Sequence, residues 1–189
     1  MKWAVGIIVV LLLLGLILGG SACGTYNSLT TKKNEVTNGF SNVDTQLQRR
    51  ADLIPNLVNT VKGYAKHEEK IFTEIAEARS KLIGAKTVDE KSQANDQLSG
   101  ALGRLLAISE NYPNLKADQG FLKLQDELAG TENRIQVARR DYNKVVLEYN
   151  IMHDRFPGVI FANLFGFQRA EEFKASESSR QVPGVDFSK

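Results

Sequence analysis

The side chains most often used for proton transfer, metal binding and nucleophilic attack near neutral pH are scarce in this chain, which has two histidines and one cysteine: His67, His153 and Cys23. Each imidazole has a carboxylate beside it in sequence, Glu68 and Glu69 after His67 and Asp154 after His153. Consecutive residues on a helix point about 100° apart, so such pairs do not face each other as an acid and a base must. A zinc site needs several ligands closing on one point, and no His-x-x-x-His pair or equivalent spacing occurs. Glycine-rich phosphate loops, nucleophile elbows and Cys/His arrangements are missing too. The residues therefore predict no enzyme, no cofactor and no metal. One acid stands out by its place: Glu68 falls on an apolar stripe, where a carboxylate needs an Arg or Lys partner or a solvated gap. A structural ion pair is the expectation there.

Composition narrows the field further. The chain has 189 residues, with 24 Lys plus Arg against 22 Asp plus Glu and a net charge of +2. Without a strongly basic field, nucleic acid is not an expected partner. A single Cys excludes an intramolecular disulfide. The length suits one domain with an appendage, and all four prolines lie beyond Arg50.

The appendage is N-terminal. No charge occurs between Lys2 and Lys32, and Ala4 to Gly20 contains only Ala, Val, Ile, Leu and Gly. As a helix that segment spans about 25 Å, near the lower limit for a hydrocarbon core, with Trp3 and Tyr26 placed as interfacial anchors. A single transmembrane anchor over residues 1–25 is the expectation. Two alternatives stay open: a cleaved signal peptide, since Gly20-Ser21-Ala22 supplies small residues, and lipidation at Cys23 after processing, although Gly20 stands where a lipobox has a large aliphatic residue. Positive charges on the two flanks are nearly balanced, so the side of the membrane is not specified.

Beyond it the pattern is helical. Tyr26, Leu29, Val36, Phe40, Val43 and Leu47 recur by threes and fours, a helix continuing out of the membrane. A second helix is expected to start at Asp52, as N-cap, with Pro55 in its first turn; its stripe runs from Leu57 through Val61, Tyr64, Glu68, Ile71 and Ile75 to Leu82, and Gly84 ends it. Thr87-Val88-Asp89-Glu90 has capping-box spacing and opens a third helix, which stops before Pro113. The longest regular stripe runs from Phe121 to Phe156 and ends at Pro157-Gly158. Tyr142-Asn143 and Tyr149-Asn150 repeat one heptad apart beside that seam, where Asn commonly fixes register. Four such segments with short connections predict an all-α, antiparallel up-and-down four-helix bundle over residues 26–173. The apolar run Val159 to Phe167 is too short to cross a bilayer, so it packs on the bundle end or rests on the membrane surface. Residues 174–189 read as a disordered tail.

Several runs carry a family resemblance. Gln46-Leu47-Gln48-Arg49-Arg50-Ala51-Asp52-Leu53-Ile54-Pro55-Asn56-Leu57-Val58 resembles the signature of the LemA family, and the match continues in order through Tyr64-Ala65-Lys66-His67-Glu68, Glu110-Asn111-Tyr112-Pro113-Asn114-Leu115, Thr131-Glu132-Asn133-Arg134-Ile135 and Arg140-Asp141-Tyr142-Asn143. The resemblance covers Tyr26 to Phe173. It implies a bacterial protein with one N-terminal membrane helix and a four-helix bundle whose cellular role is largely undefined; some such proteins occur in magnetosome-forming bacteria, and many are encoded near a membrane zinc metalloprotease. Arg50, Asp52, Pro55, Asn56, His67, Glu68, Glu110, Tyr112, Pro113, Glu132, Asn133, Tyr142 and Asn143 are its motif residues, without an assigned role.

Together these readings predict a single-pass cell-membrane protein of the bacterial envelope that binds protein partners without chemistry of its own. The lipid bilayer is one partner, a membrane metalloprotease is a partner by resemblance only, and a homo-oligomer is allowed. The alternative is a protein that senses or remodels the membrane surface through residues 159–167, and the last an enzyme using the acids near His67.

Overall fold

The computed structural model describes residues 2–174, apart from the side chains of Lys2, Ala4, Val5, Val10, Leu14, Ile17 and Leu18. Six helices follow one another: α1 Lys2–Tyr64, α2 Glu69–Gly84, α3 Val88–Ser109, α4 Pro113–Lys116, α5 Gln119–Asp154 and α6 Gly158–Phe165. Among the described residues there is no strand, so the protein is all-α. The tail expected to be disordered lies, from residue 175 onward, outside the described residues.

The start expected at Asp52 is corrected by the fold. α1 continues for 63 residues straight through Pro55. A proline inside a helix removes the donor that would bond the carbonyl four residues back, here that of Ala51. Arg79 of α2 supplies the missing donor, its Nε lying 2.8 Å from the Ala51 oxygen. Asp52 caps nothing; its carboxylate accepts Gln48 Nε2 at 2.8 Å along the same helix. The chain breaks instead at residues 65–68, just after Gly63, the weakest helix former of the stretch. Ala65 is buried in that turn, and its amide still bonds the Val61 carbonyl.

Other local signals act as expected. At α3 the Thr87 hydroxyl accepts the Glu90 amide at 3.2 Å and the Glu90 carboxylate accepts the Thr87 amide at 3.0 Å, completing a capping box. Pro113 opens α4 at a position where its missing N–H costs nothing. Asp118 accepts the Phe121 amide at 2.8 Å and so caps the start of α5.

Contacts divide the chain into two compact units. One joins Phe40–Tyr142 to the described residues from Glu171. Its four long stretches belong to α1, α2, α3 and α5, and their directions follow from the pairs they make. Asp44 meets Lys91 and Arg50 meets Asn95, so α1 and α3 run the same way. Tyr64 meets Asp118 while Arg50 meets Glu132, so α5 runs opposite to α1; Ala51 with Arg79 and Glu74 with Arg104 reverse α2 against its neighbours. The directions alternate as an up-and-down bundle requires. Leu47, Ile54, Leu57, Ile75, Leu98, Leu105, Phe121 and Ile135 fill its core.

The other unit joins Met1–Gly39 to Asn143–Ala170. Leu29, Tyr149 and Ala162 form its buried centre, with Val36, Met152, Phe161, Phe167 and Ala170 packed around them. Gly158 is obligatory at the turn into α6, because a Cβ there would lie 2.0 Å from the Met152 carbonyl oxygen. Gly166, at φ 72°, ends α6 in the left-handed conformation that glycine adopts without penalty. The run 159–167 therefore packs, as one of its two readings held, but with one face only: Ala162 is buried, whereas Ile160 and Leu164 are 53% and 70% exposed.

A helix does begin at the N-terminus as expected. That it spans a bilayer does not follow from the described residues, among which no helix is long and apolar enough to cross a membrane. Trp3, Ile7, Ile8, Val9, Leu11, Leu12, Leu13 and Leu16 are all exposed.

Candidate functional site

The motif residues gather in three places. The first is a buried polar layer inside the bundle unit. Arg50, only 5% exposed, donates from Nη1 to Asn95 Oδ1 at 2.8 Å and to Glu132 Oε2 at 2.5 Å, tying α1 to α3 and α5. Burial pulls the guanidinium below its ordinary pKa, and the charges of Glu132 and Asp96 oppose that. Beside it Lys91 Nζ lies 2.6 Å from Asp44 and donates to the Leu82 carbonyl at 3.2 Å. Charges so enclosed are retained only with partners of this kind, and they hold helices in register. The layer is a brace, with both ends of each charge pair built into the bundle.

The second place is the turn between α1 and α2 with the segment around α4. Glu68, at the N-cap position of α2, accepts the Tyr112 hydroxyl at 3.0 Å, which raises the phenol's pKa. The partner expected for Glu68 was Arg or Lys; the break in the helix takes it off the apolar stripe, and a phenol serves. Tyr64 donates likewise to Asp118 at 2.9 Å, and Glu110 pairs with Lys116. His67 is exposed in this turn.

The third place is a strap. After α6 the chain from Phe167 to Lys174 has no regular secondary structure, and within each of the two units side chains of α5 bond its backbone. In the bundle unit Tyr142 donates to the Glu171 carbonyl at 2.7 Å and Arg139 to that of Lys174 at 2.6 Å. Phe173 is buried there against Tyr142 and Phe40. Desolvation is the chief cause pushing the Tyr142 phenol up to about 12. In the terminal unit Tyr149 donates to the Gln168 carbonyl at 2.7 Å. Asn150 makes two bonds to Ala170, donating to its carbonyl at 3.0 Å and accepting its amide at 2.9 Å. His153 Nε2 lies 3.1 Å from the Phe167 oxygen, and Asp154 pairs with Arg169.

Some motif residues join none of these. Asn56 and Pro55 lie exposed on α1. Asn133, also exposed, lines a shallow groove of about 310 Å³ with Asn42, Gln46, Arg134, Val137 and Ala138. Asn143 is half-buried on α5. Cys23 is exposed within α1, nine residues before Lys32, which pairs with Glu35 at 2.7 Å and with Glu148 of α5 at 2.8 Å. Among the described residues no group of three or more His, Cys, Asp or Glu could hold a metal ion.

Sequence reasoning missed Lys91, Asn95, Arg139 and the strap itself. Lys91 lies seven residues before Leu98 on the inner face of α3, so extending that stripe back by one heptad finds it. Arg50 sits between Leu47 and Ile54 in the same way once α1 is left unbroken. Nothing in the pattern of residues 168–174 announces that their carbonyls are caught by α5.

A family model described as LemA family matches residues 39–187. The magnetosome protein MamQ 2 of Paramagnetospirillum magneticum is 28% identical over 175 residues, which are 79% of this chain and 64% of that protein. MamQ of Magnetospirillum gryphiswaldense is 26% identical, over 78% of this chain and 64% of its own length. Protein LemA of Metamycoplasma hominis is 28% identical over 159 residues, covering 83% of this chain and 72% of that protein. The chain thus spans just under two thirds of the MamQ proteins it matches.

Proposed function

Since the chain belongs to the LemA family, we propose that it is a membrane-tethered, non-catalytic protein of the bacterial cell envelope that presents its bundle unit to protein partners. The observation that carries this reading is the exposure of every described large apolar side chain from Trp3 to Leu16. Apolar residues at 7, 8, 9, 11, 12, 13 and 16 cover all sides of a helix, and a helix apolar all round requires a lipid or protein surround. A single pass through the bilayer is the simplest surround, and the magnetosome names of two relatives accord with a membrane setting.

The bundle unit favours binding over catalysis. Its buried charges are spent on one another, and His67 stands exposed away from them. The groove beside Asn133 is the partner surface that the motif residues support best, since Asn133 lies exposed there with half-exposed Val137. A membrane metalloprotease and a second copy of the chain are the partner classes to try first.

Alkaline carbonate extraction of native membranes tests the tether. The chain is expected to stay in the pellet, and release into the supernatant would overturn the reading. Protease accessibility in intact cells against spheroplasts assigns the side on which the bundle stands. The non-catalytic part predicts that His67→Ala with Glu68→Gln leaves cellular function intact.

A further inference from the structure

We propose that α6 is a second membrane contact, lying in the lipid interface of the leaflet beside the anchor with Phe156, Ile160 and Leu164 turned into it; this rests on the tether proposed above. Ile160 and Leu164 lie one turn apart on α6 and form one stripe, 53% and 70% exposed, with Phe165 at 49% on its flank and Phe156, 79% exposed, in the turn that leads into the helix. The opposite side of α6 is already used, Ala162 being packed on Leu29 and Tyr149. An eight-residue helix apolar on both faces is left with one face for another medium.

Its height above the apolar segment identifies that medium. Tyr26 of α1 touches Phe165 and Phe167 edge-on, with ring centroids 5.0 and 5.6 Å away. Tyr26 lies six residues beyond Gly20, the end of the apolar segment, and six residues of helix rise about 9 Å. The apolar segment, about 25 Å long, ends about 2–3 Å inside the edge of a hydrocarbon core about 30 Å thick when centred in it, so Tyr26 lies about 6–7 Å beyond that edge, within a headgroup region about 5–8 Å deep. α6 is therefore fixed at the depth where interfacial helices lie, with their apolar face about 5–10 Å into the headgroup boundary. Charge agrees with that depth. Arg155 precedes the stripe and Lys33 stands over the Phe167 ring at 5.6 Å, while Arg169, which follows α6, is paired with Asp154, so the charges left for anionic headgroups around the apolar face are those of Arg155 and Lys33. Between Lys32 and the stripe runs an open cleft of about 660 Å³ lined by Ser28, Glu148, Ile151, Met152, Arg155 and Phe156, room for acyl chains or headgroups to follow the surface inward.

The test uses the full chain in a Cys23→Ser background, reconstituted in vesicles of phosphatidylcholine and phosphatidylglycerol, with an environment-sensitive fluorophore on one introduced cysteine: Leu12→Cys in the anchor, Ile160→Cys or Leu164→Cys on α6, or Glu77→Cys on the bundle. Lipids spin-labelled near the headgroup are expected to quench positions 160 and 164 at least threefold more than position 77, and lipids labelled deep in the chain to quench position 12. Quenching at 12 with none at 160 and 164 overturns the α6 contact and leaves the tether standing. No quenching at 12 overturns the tether itself. Shielding of 160 from lipid together with a 160-to-160 cross-link between copies assigns the stripe to self-association, and so also overturns the proposal. Phe156→Ser, Ile160→Ser and Leu164→Ser together, with the label moved to Phe165→Cys, are expected to abolish α6 quenching while leaving the thermal transition within a few degrees, because these exposed side chains leave the core untouched.

Discussion

Removing Arg79 tests whether Pro55 survives inside α1 because another helix supplies its missing hydrogen bond. In Arg79→Leu the Ala51 carbonyl, on a residue fully buried in the seam, loses its donor at 2.8 Å. An unpaired buried carbonyl costs about 1–3 kcal/mol, and bonds to charged donors lie toward the upper end of that range. In a Pro55→Ala background the amide at residue 55 can close the ordinary bond to Ala51, so the same Arg79→Leu should cost under about 1 kcal/mol. The expected coupling is at least about 1 kcal/mol. Pro55→Ala alone should stabilise by about 1–2 kcal/mol, the interior-proline cost of up to about 3 kcal/mol being partly met already by Arg79 and reduced by about 0.4–1 kcal/mol for lost stiffness of the unfolded chain. Urea unfolding of the full chain in nonionic detergent, followed by helical circular dichroism, gives all four corners of the cycle, and a new slowly exchanging amide at residue 55 checks the restored bond. Equal costs of Arg79→Leu in both backgrounds would refute the reasoning, since the arginine would then act through something other than the orphaned carbonyl.

The buried layer predicts an asymmetry: Glu132→Ala strands the Arg50 guanidinium and should destabilise by on the order of 3 kcal/mol, more than Arg50→Met, which removes the charge and keeps the volume; urea midpoints decide. Tyr142 predicts an alkaline limit. Its phenol is raised in the fold to about 12 from an ordinary 10.0, so its contribution is fully present below pH 10 and is lost as pH rises from 10 toward 12. Tyr142→Phe should flatten stability over that window, and an ultraviolet titration should lose a late-ionising phenol in Tyr142→Phe relative to the wild type, in which Tyr64, Tyr112 and Tyr149 are also raised. Asn150→Ala should speed exchange of the Ala170 amide about 5- to 30-fold, the equivalent of about 1–2 kcal/mol for one lost bond, while amides of α3 stay unchanged by mass-resolved exchange. Intact-mass measurement is expected to return the full-length chain; a diacylglyceryl mass on a chain starting at Cys23 would replace the apolar helix with a lipid anchor.

Periodicity carried the helical reading where the burying partner lies on the same stripe. The stripes of α3 and α5, the capping box at Thr87 and the stop at Pro113 are local signals, and local geometry settles them. The boundary at Asp52 failed because the deciding bond comes from Arg79, a residue on another helix whose place beside Ala51 no local rule encodes. Glu68 failed for the same reason in reverse: a stripe drawn through the turn at 65–68 set it on a face that does not exist. Tyr142 and Asn150 were legible as residues beside the seam, and Asn was expected there to fix register. Their partners are main-chain atoms of the strap, and carbonyls look alike in every sequence. The motif residues Arg50 and Glu132 are paired by the fold although 82 positions separate them.

The strap follows in chain order everything that it fastens. A nascent chain that has already delivered its apolar start and all of α5 still holds Tyr142, Tyr149 and Asn150 without the carbonyls they bond, because those belong to Glu171, Gln168 and Ala170. The bonds that fasten the strap can thus form only after all six described helices have been made. A chain ending near residue 167 would keep all of α5 yet leave Tyr142, Tyr149 and Asn150 without these backbone partners. The arrival of the strap is in this way sensed by side chains of α5 that stand ready for it within each unit.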